Sequence, residues 1–190
     1  GVAALGDRAC FIGKVRDDQL GQTFSNDIRN IGVDFPSELA ADGAPTARCL
    51  IVVTPDAMRT MNTFLGACVE LGPDDVDEAV VAASAITYLE GYLWDPPRAK
   101  EAFLKAIATA RTAGRQVALS LSDGFCVDRH RDEFVDLVQH QVDILFANEQ
   151  EIISLYEAET FDAAIQSVRG HCKIAAVTRA EKGSVITTKD

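Results

Sequence analysis

Across 190 residues, 29 acidic side chains outweigh 18 basic ones for a net charge of −11 at pH 7; this argues against nucleic acid or an anionic membrane as partner, since both need concentrated Lys and Arg. The 47% hydrophobic content is enough for a core, and the length suits one domain of ~150 to 200 residues. No apolar run approaches the ~20 residues that span a bilayer, the N-terminus lacks a basic-then-apolar signal, and five scattered cysteines without a Cys-x-x-Cys pair read as reduced thiols, so a cytoplasmic protein is expected.

In chain order, Arg8 to Val15 reads as a strand, and Asp17 or Asp18 caps a helix with Leu20, Phe24, Ile28 and Ile31 on one face, ended by Gly32. Thr46–Thr54 and Arg59–Leu65 are two strands joined by a turn at Pro55-Asp56-Ala57-Met58, where Pro and Asp favour a turn. After Gly72-Pro73, Asp74–Ala83 suits a helix, Ala85–Leu89 a buried strand, and Pro96–Ala113 a longer helix stopped by Gly114. Strand Gln116–Leu121, helix Arg131–Gln139, strand Val142–Ala147, helix Glu149–Tyr156, helix Phe161–Arg169 and strand Lys173–Thr178 complete the alternation. Strands separated by helices of this length pair in parallel through right-handed crossovers, which predicts an α/β fold, a three-layer α/β/α sandwich with a mainly parallel sheet. Residues 1–190 read as one unit, with 46–65 as a small β excursion.

In such sheets ligands collect at the carboxyl ends of the strands. Two strand ends stand out there. Ile144-Leu145-Phe146-Ala147 breaks into Asn148-Glu149-Gln150-Glu151, and Val177-Thr178 into Arg179-Ala180-Glu181-Lys182-Gly183-Ser184. Asn148 and Glu151, three apart across a strand-to-helix junction, can converge from the first helical turn, and oxygen ligands of this kind suit hard cations. The same spacing also describes a helix capping box. Rival signatures fail: Gly6 to Lys14 has the wrong spacing for a Walker loop, with Val15 in place of Ser or Thr, and there is no Gly-x-Gly-x-x-Gly or Gly-x-Ser-x-Gly. The three histidines, Asp123, Tyr92 and Trp94 read as ordinary surface, cap or packing residues.

With these motifs the chain resembles the ribokinase-like (PfkB) family of carbohydrate and nucleoside kinases along nearly all its length. Phe11 to Gly21, with Gly13 and Asp17-Asp18-Gln19-Leu20-Gly21, is similar to that family's Gly-x-x-x-Asp-Asp-x-x-Gly turn; Asn148 and Glu151 match its Asn-x-x-Glu motif; Val177 to Ser184 matches Val-Thr-x-Gly-x-x-Gly, with Ala180 in place of the first Gly. Leu119-Ser120-Leu121-Ser122-Asp123-Gly124-Phe125 resembles the adenosine-kinase segment more than the sugar-kinase one.

The resemblance implies ATP and Mg2+ as cofactors, with room for a monovalent cation, and a small nucleoside or sugar as partner of a monomer or homodimer. It assigns Asn148, Thr178, Glu181 and Gly183 to the nucleotide and Glu151 to magnesium through water. Residues 46–65 become a β lid, entered at a structural Thr46. Arg59 on that lid becomes a stabiliser of the transferring phosphate, a solvated turn arginine being the plain alternative. In the implied reaction the γ-phosphate passes in line to a hydroxymethyl group, most readily adenosine 5′-OH, with a sugar acceptor as the alternative. The family's Gly-Ala-Gly-Asp, which carries the general base and the anion hole, is not among these 190 residues, so the aspartate base is expected beyond Asp190. The family's opening Gly-Gly-x-x-x-Asn is not among them either. The segment is therefore expected to be inactive alone, and a non-catalytic nucleotide-binding domain is the reading from another class.

Overall fold

Residues 1–189 are described by a computed structural model, and their contacts divide them after Val76 into two units. Asp190 lies outside the described residues, and with it the expected position of the general base beyond that point. In the first unit β1 (Ala9–Cys10) and β2 (Val33–Asp34) pair in parallel on either side of α1 (Gln19–Asn30). The strand expected over Arg8–Val15 is cut to two residues. Its partner runs from Asp34 into Phe35-Pro36, and proline brings no N–H to a ladder. Pairing resumes only as a single bridge between Arg16 and Ala40.

Asp18 opens α1 and ties it to Thr46. Its Oδ1 accepts from the Gly21 N–H at 2.8 Å and from the Thr46 hydroxyl at 2.7 Å, and its Oδ2 accepts from the Thr46 N–H at 2.9 Å. Thr46 is buried, in keeping with its expected structural part. A Cβ on Gly21 would stand 1.9 Å from the Arg16 carbonyl oxygen, so the glycine three residues after Asp18 is required by close approach. The apolar face of α1 is half covered: Phe24 meets Phe11 and Phe35 with ring centroids 5.6 to 5.8 Å apart, while Ile31 is 69% exposed.

The expected hairpin forms. Antiparallel strands β3 (Arg48–Val53) and β4 (Arg59–Phe64) pair from Arg48 with Phe64 to Val53 with Arg59. Every residue of both strands is exposed, Leu50, Ile51, Val52 and Met61 included.

The second unit carries α2 (Glu78–Ala83), β5 (Ile86–Glu90), α3 (Pro97–Thr112), β6 (Gln116–Ser120), α4 (Gly124–His140), β7 (Ile144–Asn148), α5 (Glu149–Tyr156), α6 (Phe161–Val168), β8 (Ile174–Thr178) and β9 (Ser184–Thr188). The sheet runs β5-β6-β7-β8-β9, its first four strands parallel and β9 antiparallel. Register places Leu89, Leu119, Leu145, Ala175 and Thr187 in one row, all buried; α3 packs on β5 and β6, and α5 on β7 and β8. Each such fully buried leucine contributes about 1.5–3 kcal/mol. The next row, Glu90, Ser120, Phe146, Ala176 and Ile186, lies on the opposite face, where Phe146 is 41% and Ile186 68% exposed. Trp94 is buried beside Phe134, ring centroids 5.8 Å apart.

Three further elements differ from expectation. The helix read over Asp74–Ala83 splits into a 3-10 turn at Pro73–Asp75 and α2, because Asp77 starts a new helix by accepting from Ala79 N–H at 2.9 Å and Val80 N–H at 3.2 Å. The helix read over Arg131–Gln139 begins seven residues earlier, at Gly124. Asp123 caps it through the Phe125 N–H at 2.9 Å, and Cys126 and Val127 are fully buried. Strand β9 lies beyond the alternation read from sequence, although Ser184-Val185-Ile186-Thr187-Thr188 is rich in β-branched residues. Among the described residues no helix is long and apolar enough to cross a membrane.

Candidate active site at the carboxyl ends of the sheet

Where β7 passes into α5, Asn148 and Glu151 bond reciprocally. Asn148 Oδ1 accepts from the Glu151 N–H at 2.9 Å, Asn148 Nδ2 donates to Glu151 Oε1 at 2.7 Å, and the Asn148 N–H donates to Glu151 Oε2 at 2.9 Å. The capping-box geometry is thus present, and it fixes both side chains at the strand end. Glu151 is only 6% exposed. Burial pushes its carboxyl above the usual range; the Asn148 N–H opposes that, and the carboxylates of Asp123 and Glu90 push it further up. Strand register sets Asn148 beside Thr178, and Thr178 beside Ser184, so these residues of β7, β8 and β9 stand abreast.

The three strand ends and their neighbours open on a cleft of about 450 Å³ whose walls include Glu90, Ser122, Phe146, Asn148, Glu151 and Thr178. Glu90, the last residue of β5, accepts from the Tyr88 hydroxyl at 2.8 Å and from the Ser122 hydroxyl. Ser122 takes a left-handed backbone, φ 69°, which is uncommon for a residue other than glycine. Its Oγ also accepts from the Tyr92 N–H at 3.3 Å.

Beyond Thr178 the chain turns through Arg179 to Gly183 before β9. Gly183 has φ 86°, the positive value that glycine permits. Ala180 also lies in the left-handed region, φ 49°, where its Cβ costs about 1 kcal/mol. An alanine where the resembled motif has Gly therefore strains the turn. Glu181 sits in this turn, exposed. Arg179 bonds Glu149 at 2.9 Å and holds that carboxyl below its usual range.

Of the residues singled out by sequence, Asn148, Glu151 and Thr178 share the cleft wall, and Glu181 and Gly183 lie in the adjoining turn. Arg59 is the first residue of β4 on the hairpin of the first unit, exposed and opposite Val53. Glu90 and Ser122 are cleft residues that the sequence reading leaves out; their local signal is no more than the polar break after each apolar strand. Among the described residues no three His, Cys, Asp or Glu side chains are arranged to hold a metal between them. Both Glu151 oxygens already serve Asn148. Glu90 and Glu151 line the same cleft, and with so few carboxylates a hydrated cation fits better than a bare one, since magnesium keeps several of its waters.

Polar groups gathered at the carboxyl edge of a mostly parallel sheet are common to many α/β folds, and the solved structures that match this chain show that its fold is the ribokinase-like one. The chain belongs to the pfkB family of carbohydrate kinases, whose model matches residues 1–190. The solved adenosine kinase from Sinorhizobium meliloti is 54% identical with a TM-score of 0.94, covering 99% of this chain and 58% of its own. A structure named "probable sugar kinase protein" from Rhizobium etli CFN 42 is 52% identical with the same TM-score, covering 99% of this chain and 57% of its own. The 5-dehydro-2-deoxygluconokinase of Shouchella clausii is 31% identical over 125 residues, 64% of this chain and 38% of that protein. The chain thus spans less than two thirds of each of these relatives.

Proposed function

We propose that the protein containing this chain is an ATP-dependent kinase that transfers the γ-phosphate to a hydroxymethyl group, with adenosine 5′-OH as the acceptor. The observation that carries the reaction class is the Asn148–Glu151 junction standing abreast of Thr178 at the carboxyl edge of the sheet, in a chain of a kinase family. Adenosine is supported by the likeness to the Sinorhizobium meliloti adenosine kinase along 99% of the chain and by the segment Leu119–Phe125. The nearly equal identity to the Rhizobium etli structure named "probable sugar kinase protein" favours a sugar acceptor as the second reading.

In this proposal Asn148 and Thr178 meet the nucleotide phosphates from the ends of β7 and β8, and the turn carrying Glu181 and Gly183 flanks them. Glu151 would hold a hydrated magnesium through water, because its own oxygens accept from Asn148. When bound, the ion neutralises charge on the phosphates. Arg59 is assigned to the transferring phosphate by resemblance alone. The proton acceptor, an aspartate by the same resemblance, is to be sought beyond Asp190 in the complete protein.

Glu151→Gln in the complete protein tests the metal assignment. Turnover is expected to fall about tenfold and the magnesium needed for half-maximal rate to rise. The glutamine offers one acceptor oxygen to the two Asn148 donors, so one bond of the cap is lost and the melting temperature should fall by roughly 2–6 °C with the fold retained. Unchanged kinetics across a magnesium titration would remove Glu151 from the metal.

A further inference from the structure

Resting on the nucleotide reading above, we infer that Arg179 is a positioning residue: it clamps the Arg179–Gly183 turn against α5 and α6 and so keeps Ala180 in its strained, nucleotide-ready backbone. Its guanidinium carbon stands 3.9 Å from the centroid of the Phe161 ring, at the first residue of α6. Its Nη2 donates to Glu149 Oε1 at 2.9 Å, at the first residue of α5. From the far side of the same turn, Lys182 Nζ approaches Glu149 Oε2 at 3.6 Å. One carboxylate therefore receives a cation from each flank of the turn.

The backbone inside the clamp is closed on itself. The Arg179 N–H donates to the Gly183 carbonyl at 2.7 Å, the Lys182 N–H to the Arg179 carbonyl at 2.9 Å, and the Gly183 N–H to the Ala180 carbonyl at 3.1 Å. An alanine with φ 49° leaves that conformation unless its surroundings over-determine it. Thr178, which lines the cleft, is the residue immediately before the clamp. Loosening the turn therefore moves a cleft wall without removing any group that faces the cleft. Planarity matters here: the guanidinium carbon stands over the Phe161 ring while Nη2 donates to Glu149, and the compact ammonium of a lysine has no planar group to lay against that ring.

The test uses the complete protein, with KM for ATP and for the phosphate acceptor measured separately. Arg179→Ala is expected to raise KM for ATP about tenfold while kcat and acceptor KM change less than about twofold. Arg179→Lys should recover little of that loss. In an Ala180→Gly background the Arg179→Ala penalty should shrink to about twofold, because glycine holds the turn unaided. If Arg179→Ala fails to fold, Phe161→Leu keeps an apolar side chain and removes only the stacking face; it should raise KM for ATP alone. An unchanged ATP KM in Arg179→Ala, an equal rise for both substrates, full rescue by lysine, or a penalty that persists in the Ala180→Gly background would each overturn the inference. Calorimetric titration of the wild type with ATP and magnesium separates the two levels. No binding there overturns the nucleotide reading and this inference with it, whereas binding with an unaffected Arg179→Ala overturns the inference alone.

Discussion

Asp18 shows how one carboxylate can organise a unit. Three donors converge on it, and they hold its pKa at about 2 against an ordinary 3.8, the Thr46 N–H having the largest effect, then the Gly21 N–H, then the Thr46 hydroxyl. A folded-state pKa below the unfolded value means stability that is present above pH 3.8 and is lost as the pH falls toward 2. Acid unfolding of Asp18→Asn, followed by circular dichroism across that window, is expected to be shallower than for the wild type; identical profiles would show that these bonds are not made in solution. Glu151 has the opposite sign, since burial raises its carboxyl and folding disfavours its ionised form. The Asn148–Glu151 spacing announces both a cap and a ligand pair, and the bonds between the two side chains show the cap. Glu90 and Ser122 are not legible, because Glu90 is set by the register between β5 and β6, and Ser122 beyond β6 by its bond to Glu90, 32 residues away.

At the scale of elements, local signals are reliable where side chains close to one another in sequence decide the outcome. α5 begins at Glu149 and ends at Tyr156 as expected, and α3 is stopped at Gly114, which has φ 68°. They fail where distant residues decide. The break in α4 at His130, φ −124°, is held by its ring nitrogen 2.7 Å from Asp95, a partner 35 residues away. The ends of β1 are illegible for the same reason, since they depend on a partner strand that runs into Pro36. The hairpin β3–β4 is legible from its turn, yet its strands contribute almost nothing to a core, all twelve residues being exposed. Few buried apolar contacts mean low local stability. Hydrogen exchange is expected to label amides of β3 and β4 much sooner than those of β6 and β7, whose Val117, Leu119 and Leu145 are fully buried; equal protection would contradict this.

For the molecule as a whole, the two faces of the five-stranded sheet have different tasks. One is filled by Leu89, Leu119, Leu145 and Val177 under helices and holds the unit together; the other carries Phe146, Ile186 and the polar strand ends that line the cleft. The net charge of −11 suits the proposed reading, in which a hydrated cation would sit by Glu90 and Glu151 at the cleft. The central claim, that the cleft serves phosphoryl transfer from ATP, is tested most directly by assaying the complete protein with magnesium and ATP against adenosine, ribose and fructose in parallel. AMP formed in preference to any sugar phosphate is the expected result. Preference for a sugar would move the acceptor to the second reading, and no transfer to any acceptor would contradict the account.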